Sequence, residues 1–481
     1  MNLFEQVEDP TDLVTIKSVI SQSERPGCLV PLGIQHLVIS PTAALEVADY
    51  LKRVLGERSG TKPTVVLLAD QTKIFRNGQD LKEAVASALG SDYLIKPLVL
   101  GTENHLHADD AALDAATAAL EGVDAVVSVG SGTISDIAKV ASARQGGVPH
   151  VLVQTAASVD GYTDNVSVVL RSGAKRTIPS RWPDVVLADT EVISSAPVEL
   201  NTSGFGELLS LFTAPADWWL ANKLGSDKSF HTTPRDLLLT FAGNPGEWGA
   251  GISEGNREAV DQLTKVLAIR GIGTGIAGTT ACLSGMEHLV SHMLDMYAAA
   301  HHHETGLHGK QVGVASVVAA TAWEYLLDQI RAGREISLRR STELLEPLVN
   351  TVFRECDPSG ALGGECWSDY SQKLKALAAA ENRIVDVTAS AGAIELALGD
   401  TLPDSKNLVK GLHLAGAACS SDELDDWVTP EVWRWAVSNC HLMRNRVTIV
   451  DLLDAIGWWN EDDVDEILSR VAQTIEEVRG V

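Results

Sequence analysis

Up to about residue 190 the chain alternates short apolar runs with amphipathic ones. HLVIS precedes TAALEVADYLKRVLG, and VVLLAD precedes a polar, helix-like segment. LVLG leads to DDAALDAATAALEG, AVVSVG leads to TISDIAKVASARQG, and HVLVQT follows. Continuous apolar runs of a few residues, separated by helical segments, are the mark of strands covered on both faces. With right-handed crossovers they predict an open, doubly wound, mostly parallel sheet. From about residue 199 the strand signal fades. ELLSLFTAPADWWLANKL, SGMEHLVSHMLDMYAAA, VGVASVVAATAWEYLLDQI, SLRRSTELLEPLVNTVF and VDEILSRVAQTIEEV all suit helices. The expected fold is an α/β N-terminal domain over residues 1–198, then an all-helical C-terminal domain over 199–481. Two stretches rich in Gly, Pro and charge, FAGNPGEWGAGISEGN and DPSGALGGEC, read as surface insertions.

Length agrees with two domains, since 481 residues exceed one ordinary core. A formal net charge of −26 repels nucleic acid and anionic membrane, so neither is expected as a partner. An anionic small substrate stays open, because a local patch can differ from the global sign. MNLFEQVEDPTDLV has no basic start and apolar core of a secretion signal, and no apolar run is long enough to span a bilayer. The six cysteines (28, 282, 356, 366, 419 and 440) show no CxxC spacing, which argues against a zinc knuckle and for reduced thiols. A soluble cytoplasmic protein is the expectation.

Three places carry candidate chemistry. In AVVSVGSGTISDIAK a strand turns into a helix at Gly130, Ser131 and Gly132. Glycine lets backbone approach a phosphate, and a helix N-terminus offers free N–H groups and a positive dipole end. Thr133 and Ser135 could add hydroxyls. Any strand-to-helix turn also favours glycine, and GSG is neither a dinucleotide fingerprint nor a P-loop. HVLVQTAASVDGYTDN again ends a strand in a small-residue loop, so Thr155, Ser158 and Asp160 sit where a ligand crevice forms in such sheets, or Asp160 only closes its own turn. The third place is SGMEHLVSHM, where His288 and His292, four apart, share a helix face. His308 follows in GLHGKQVG. HLVSH is not the HExxH of zinc proteases. A catalytic metal wants three N or O ligands and one open position, which two histidines and a carboxylate from separate helices would satisfy. Hydrogen-bonded core histidines are the alternative, and His301 to His303 read as a surface tract.

Taken in order, GSGTISDIAK, TAASVDGYTDN, GFGELLSLFTAPADWWL, SGMEHLVSHMLDM, LHGKQVGVAS and RNRVTIVDLL resemble the sn-glycerol-1-phosphate dehydrogenase family, within the metal-dependent alcohol dehydrogenase and dehydroquinate synthase superfamily. The resemblance spans about residues 30 to 455. It implies an NAD(P)H-dependent, metal-dependent reduction of dihydroxyacetone phosphate in phospholipid metabolism. Gly130, Ser131 and Gly132 would hold the pyrophosphate, with Asp136 and Lys139 in the helix behind. Thr155 and Ser158 would flank the nicotinamide, and Asp70 would meet the adenine ribose. Glu207, His288 and His308 would bind one divalent metal, zinc first and nickel or iron next. His292 would be an outer or substrate contact, Asp160 would lie between cofactor and substrate, and either would serve in a proton relay. Lys175, in SGAKRTIPS, would meet the substrate phosphate, or is an exposed hairpin lysine. A homo-oligomer is implied.

Two departures stand out. The family carries aspartate where this chain has Glu207, whose extra methylene moves the carboxylate by about 1 Å against metal–oxygen distances of about 2.0–2.2 Å. Asp164 replaces a small hydroxyl residue and brings negative charge towards the crevice. Three alternatives stay in view: a polyol or keto-sugar dehydrogenase, which Asp164 slightly supports; a homologue that has lost metal chemistry, which Glu207 motivates; and, from the superfamily, a dehydroquinate-synthase-like lyase, whose lysine- and asparagine-rich substrate motifs are not apparent here. The stretch 243–257 would be a lid or an oligomer contact.

Overall fold

The computed structural model describes residues 3–56, 61–102, 106–171, 174–338, 345–402 and 404–480. By contacts the chain divides into two units. The first comprises residues 1–204, 236–241 and 251–278; the second comprises 205–235, 242–250 and 279–481.

The first unit is built on strands β1 (His36–Ser40), β2 (Thr64–Asp70), β3 (Leu94–Leu100), β4 (Ala125–Gly130), β5 (His150–Gln154), β6 (Val166–Arg171), β7 (Ala174–Pro179) and β8 (Val185–Asp189). Six of them form one parallel sheet in the order β1-β8-β5-β4-β2-β3, while β6 and β7 make an antiparallel hairpin. Helices α1 (Val47–Leu55), α2 (Leu81–Leu89), α3 (Asp110–Ala119) and α4 (Gly132–Arg144) connect the strands. Val65, Leu67, Val127, Val151 and Leu187 pack on one side with Leu51, Val85 and Leu89. Val66, Leu68 and Val126 pack on the other with Leu113, Ile137 and Ala141. Two covered faces explain why the strands are near-continuous apolar runs. The doubly wound α/β expectation holds. Strand order reverses between β2 and β4, so the carboxyl ends of these two strands, at Asp70 and Gly130, flank the switch point where open sheets bind ligands.

Past residue 190 no described residue is in a strand. The helices that matter are α5 (Val198–Leu208), α6 (Ala214–Leu224), α7 (Arg257–Ala277), α8 (Met286–Ala300), α9 (His308–Arg331), α10 (Ser405–Ala415) and α11 (Ile449–Ala455). In the second unit α9 is the axis. It is apolar all round and buried from Gln311 to Trp323 without a break, as expected of a core helix. Among the described residues no helix is long and apolar enough to cross a membrane.

The contact units differ from a single cut between 198 and 199. Helix α7 belongs to the sheet unit, where the Thr163 hydroxyl donates to the Ala268 carbonyl (2.7 Å) and Val30 N–H to the Ile276 carbonyl (2.8 Å). The two supposed insertions are also more built than their composition suggests. Pro245 starts a turn of helix and is buried; a Cβ on Gly411 of α10 would lie 3.2 Å from it. In DPSGALGGEC, Ala361 already begins helix Ala361–Ala378, and Cys366 is buried.

Candidate metal centre and nucleotide turn

Glu207 lies one residue before the end of α5, His288 in the first turn of α8, and His308 at the first position of α9. One ligand atom from each lies within 4.8 Å of the others. Nε2 of His288 is 3.3 Å from one Glu207 oxygen, and Nε2 of His308 is 3.7 Å from the other. Donors at the corners of a tetrahedron with bonds of about 2.0–2.1 Å are about 3.4 Å apart. Glycine makes the approach of α5 to α9 possible: a Cβ on Gly206 would fall 2.2 Å from the Gly309 carbonyl oxygen, and one on Gly313 would fall 2.8 Å from the Gly206 Cα.

The outer nitrogens of both imidazoles are engaged. His288 Nδ1 is 2.9 Å from Glu287, which can only accept. His308 Nδ1 is 2.9 Å from the Ser291 hydroxyl, whose one proton goes to the Gln311 amide oxygen at 2.7 Å. Both rings therefore carry hydrogen on Nδ1 and turn Nε2 towards Glu207, the arrangement by which outer carboxylates and hydroxyls orient metal-binding histidines. Burial opposes a charged imidazole at His288, but Glu207 and then Glu287 more than offset it and push its pKa up to about 9. The cluster favours positive charge, and its N/N/O donor set fits a divalent cation. His292 stacks on His308, with ring centroids 5.8 Å apart. Asp217 of α6 secures the surroundings. Its carboxylate accepts from Met286 N–H (2.9 Å), Ile449 N–H (2.9 Å) and the Trp323 indole (3.1 Å), fixing the starts of α8 and α11. Burial, then the charge of Glu287, push the Asp217 carboxyl up to about 8.

In the first unit Gly130 ends β4 and Gly132 begins α4. A Cβ on Gly130 would meet Ile134 at 2.8 Å, and one on Gly132 would meet Val159 at 3.1 Å. Asp80 and Asp109 cap α2 and α3 with their side chains, whereas Ser131 makes no such bond to α4, whose first N–H, that of Gly132, meets the Tyr162 hydroxyl. Lys139, fully buried, reaches from α4 under the loop after β5. It bonds the Gly161 carbonyl (2.7 Å), Asp164 (2.6 Å) and Asp136 (3.2 Å). Burial pushes Asp164 up to about 7 against the pull of Lys139, while Asp164 and Asp136 hold the ammonium above its ordinary range although burial opposes it. The Asp164 charge is thus paired inside the loop. Asp160 is joined by Arg270 of α7, at 3.2 Å.

The model of the iron-containing alcohol dehydrogenase family matches residues 39–197. A glycerol-1-phosphate dehydrogenase [NAD(P)+] of Geobacillus thermodenitrificans is 29% identical over 293 residues, covering 60% of this chain and 69% of that protein. Its counterpart in Thermococcus kodakarensis is 29% identical over 290 residues, 60% of this chain and 78% of that one. The chain is thus similar, over about a third of its length, to the iron-containing alcohol dehydrogenase family and, over 60%, to these two dehydrogenases. Solved structures share the fold: glycerol dehydrogenase from Schizosaccharomyces pombe superposes with a TM-score of 0.55 at 16% identity, covering 93% of this chain and 91% of that one. Sulfoacetaldehyde reductase from Bifidobacterium kashiwanohense, in complex with NAD+, also gives 0.55, at 14% identity over 92% and 98%.

The family model and both curated relatives are of alcohol dehydrogenase type, oxidoreductases by class. Of the residues singled out in the sequence, the structure gathers Glu207, His288, His308 and His292 in the second unit. Gly130, Ser131, Gly132 and Asp136 lie at the start of α4 in the first. Thr155 and Ser158 are buried in the loop after β5. Asp70 ends β2, where its carboxylate accepts from Thr72 N–H at 3.0 Å. The Lys175 backbone pairs with Leu170 in the hairpin, and its side chain lies outside the described residues. His301 and His303 are exposed and flank the stacked rings of Tyr297 and Trp427, apart from the metal cluster. Sequence reasoning missed Glu287, Ser291, Asp217 and Arg270. The signals were slight: an acid beside a histidine, and one cation inside the apolar run LAIRGIG.

Proposed function

We propose that the chain is a metal-dependent, NAD(P)-linked oxidoreductase that reduces dihydroxyacetone phosphate to sn-glycerol 1-phosphate. The observation that carries the chemistry is the convergence of Glu207, His288 and His308, with Nδ1 of both histidines engaged by Glu287 and Ser291 and Nε2 turned towards Glu207. The substrate follows from the relatives' activity. In this reading Glu207, His288 and His308 hold one divalent ion, zinc first, with nickel and iron also suited to N and O donors. The ion supplies Lewis acidity to a carbonyl oxygen, and the bound nicotinamide supplies the hydride. Gly130, Ser131 and Gly132 receive the pyrophosphate at the start of α4, with Asp136 behind them and Asp70 on the ribose. Thr155 and Ser158 position the nicotinamide. Asp160 and Lys175 meet the substrate, and His292, stacked on His308, hands on the proton. The same reading makes it a cytoplasmic homo-oligomer acting on a small phosphorylated molecule.

The polyol reading drew on the charge of Asp164, which Lys139 pairs at 2.6 Å, so that argument for it weakens. The test is turnover of dihydroxyacetone phosphate with NADH or NADPH. One nicotinamide oxidised per ester reduced, abolished by a chelator, and a product that an enzyme specific for sn-glycerol 3-phosphate refuses, are expected. Turnover only of unphosphorylated ketones, or phosphate release without net nicotinamide oxidation, overturns the reading in favour of a polyol dehydrogenase or a lyase.

A further inference from the structure

Arg270 is wholly buried in α7, among Leu267, Ile269 and Ile272. A guanidinium survives in such surroundings only when its charge is met. Both Nε and Nη2 reach the same Asp160 oxygen, Oδ2, at 3.2 Å. The partner loop cannot step away. A Cβ on Gly271 would lie 2.4 Å from the Asp160 carbonyl oxygen and 2.2 Å from the Thr163 hydroxyl, and that hydroxyl is bonded to the Ala268 carbonyl. The Asp160 side chain remains 21% exposed while that of Arg270 is at 0%. Asp160 is therefore open to solvent on one side and neutralised from behind. Asp136 and Asp164 already share the single charge of Lys139. Lys139 is thus engaged by two carboxylates, and removing Arg270 makes the surroundings of Asp160 more negative by one charge.

We propose that Arg270 is a specificity-determining residue: by cancelling the charge of Asp160 it lets this loop accept an anionic, phosphate-bearing substrate, where a neutral polyol or ketone would need no such compensation. This rests on the reading above, in which Asp160 meets the substrate. The experiment compares kcat/KM for dihydroxyacetone phosphate and for dihydroxyacetone in the metal-loaded wild type, Arg270→Met and Arg270→Lys. Arg270→Met is expected to lower kcat/KM for the phosphate ester about tenfold or more beyond its effect on dihydroxyacetone, mainly through KM, the scale of one charge acting several ångströms away in a partly screened site. Arg270→Lys keeps the charge and is expected to keep the preference even where both rates fall. Equal losses on the two substrates in Arg270→Met, or an Arg270→Lys variant that loses the preference as the methionine variant does, overturn the inference. If Arg270→Met alone does not fold, the pair Asp160→Asn/Arg270→Met removes one charge of each sign and so leaves the net charge of the loop unchanged. It is expected to keep the preference, and losing it refutes the charge argument. The wild type separates the two levels. If it does not prefer the phosphate ester, the proposed function fails and this inference with it; if it does and the variants leave the ratio unmoved, only the role of Arg270 fails.

Discussion

Gly206→Ala is the smallest change that should open the metal cluster without touching a ligand. The new Cβ would sit 2.2 Å from the Gly309 carbonyl oxygen, 3.1 Å from its carbon and 3.3 Å from the Gly313 Cα. Ordinary contact begins at 3.4 Å, so α5 and α9 must separate by 3.4 − 2.2, or 1.2 Å. The obstacle is backbone, so no rotamer change relieves it. Glu207 follows Gly206 and His308 precedes Gly309, so the same movement widens the Glu207–His308 gap, already 3.7 Å. Ligand positions for a bound metal tolerate about 0.2 Å. Metal affinity is therefore expected to fall by about 100-fold or more, beyond what loss of one outer-shell partner costs. Overpacking should also cost about 1–3 kcal/mol, which in a chain this long lowers Tm by several degrees. The assay is metal uptake by the stripped protein in competition with a chelator, alongside a thermal melt. Gly392→Ala is the control, because the nearest atom to its Cβ would be the Ser390 hydroxyl at 3.9 Å and the residue is exposed. A Gly206→Ala protein that binds metal like the parent and melts with it would refute the reasoning.

Other consequences can be checked separately. Glu287→Gln keeps an acceptor for His288 but removes the charge, and should weaken metal binding about 10- to 100-fold with the fold intact, measured by the same chelator competition. Lys139→Met strands Asp136 and Asp164 in the interior and should cost about 3–5 kcal/mol in denaturant unfolding; adding Asp164→Asn should recover part of it, and strict additivity would contradict the pairing. His150, 2.7 Å from the Ser128 hydroxyl, is pushed down to about 3 by burial and then by the charges of Arg181 and Lys139. Its folded pKa lies below the unfolded value of about 6.5, so its contribution is complete above that pH and fades as pH falls towards 3. Between pH 7 and pH 5 it should account for about 2 kcal/mol of lost stability, and His150→Asn should flatten the acid side of the stability profile by that amount.

The strands were legible because each is buried on both faces and so writes an unbroken apolar run, as AVVSVG does for β4. The helices of the second half were legible as helices, but periodicity gives type, not address, and α7 packs with the sheet unit through distant partners such as Asp160, Thr163 and Val30. The metal trio stands 81 and 20 residues apart, so spacing alone left it open and the resemblance carried it. The shared helix face of His288 and His292 suggested them as partners. In the structure His288 faces Glu207 and His308, and His292 stacks outside them. The extra methylene of Glu207 had raised the prospect of a broken site. The glycine contact of α5 with α9 instead brings its carboxylate within 3.3 and 3.7 Å of the two imidazoles. Arg270 and Asp217 were not legible, because their partners lie 110, 69, 106 and 232 residues away, beyond any local pattern.

The most direct test of the account is metal stoichiometry. The purified protein and Glu207→Gln are stripped, reloaded with Zn²⁺, Ni²⁺ or Fe²⁺, and assayed for bound ion and for NAD(P)H oxidation by dihydroxyacetone phosphate. One ion per chain with chelator-sensitive turnover in the parent, and loss of both in Glu207→Gln, is the predicted result. A parent that takes up none of the three ions, or a Glu207→Gln protein that keeps ion and turnover, would contradict the claim that Glu207, His288 and His308 form the metal centre.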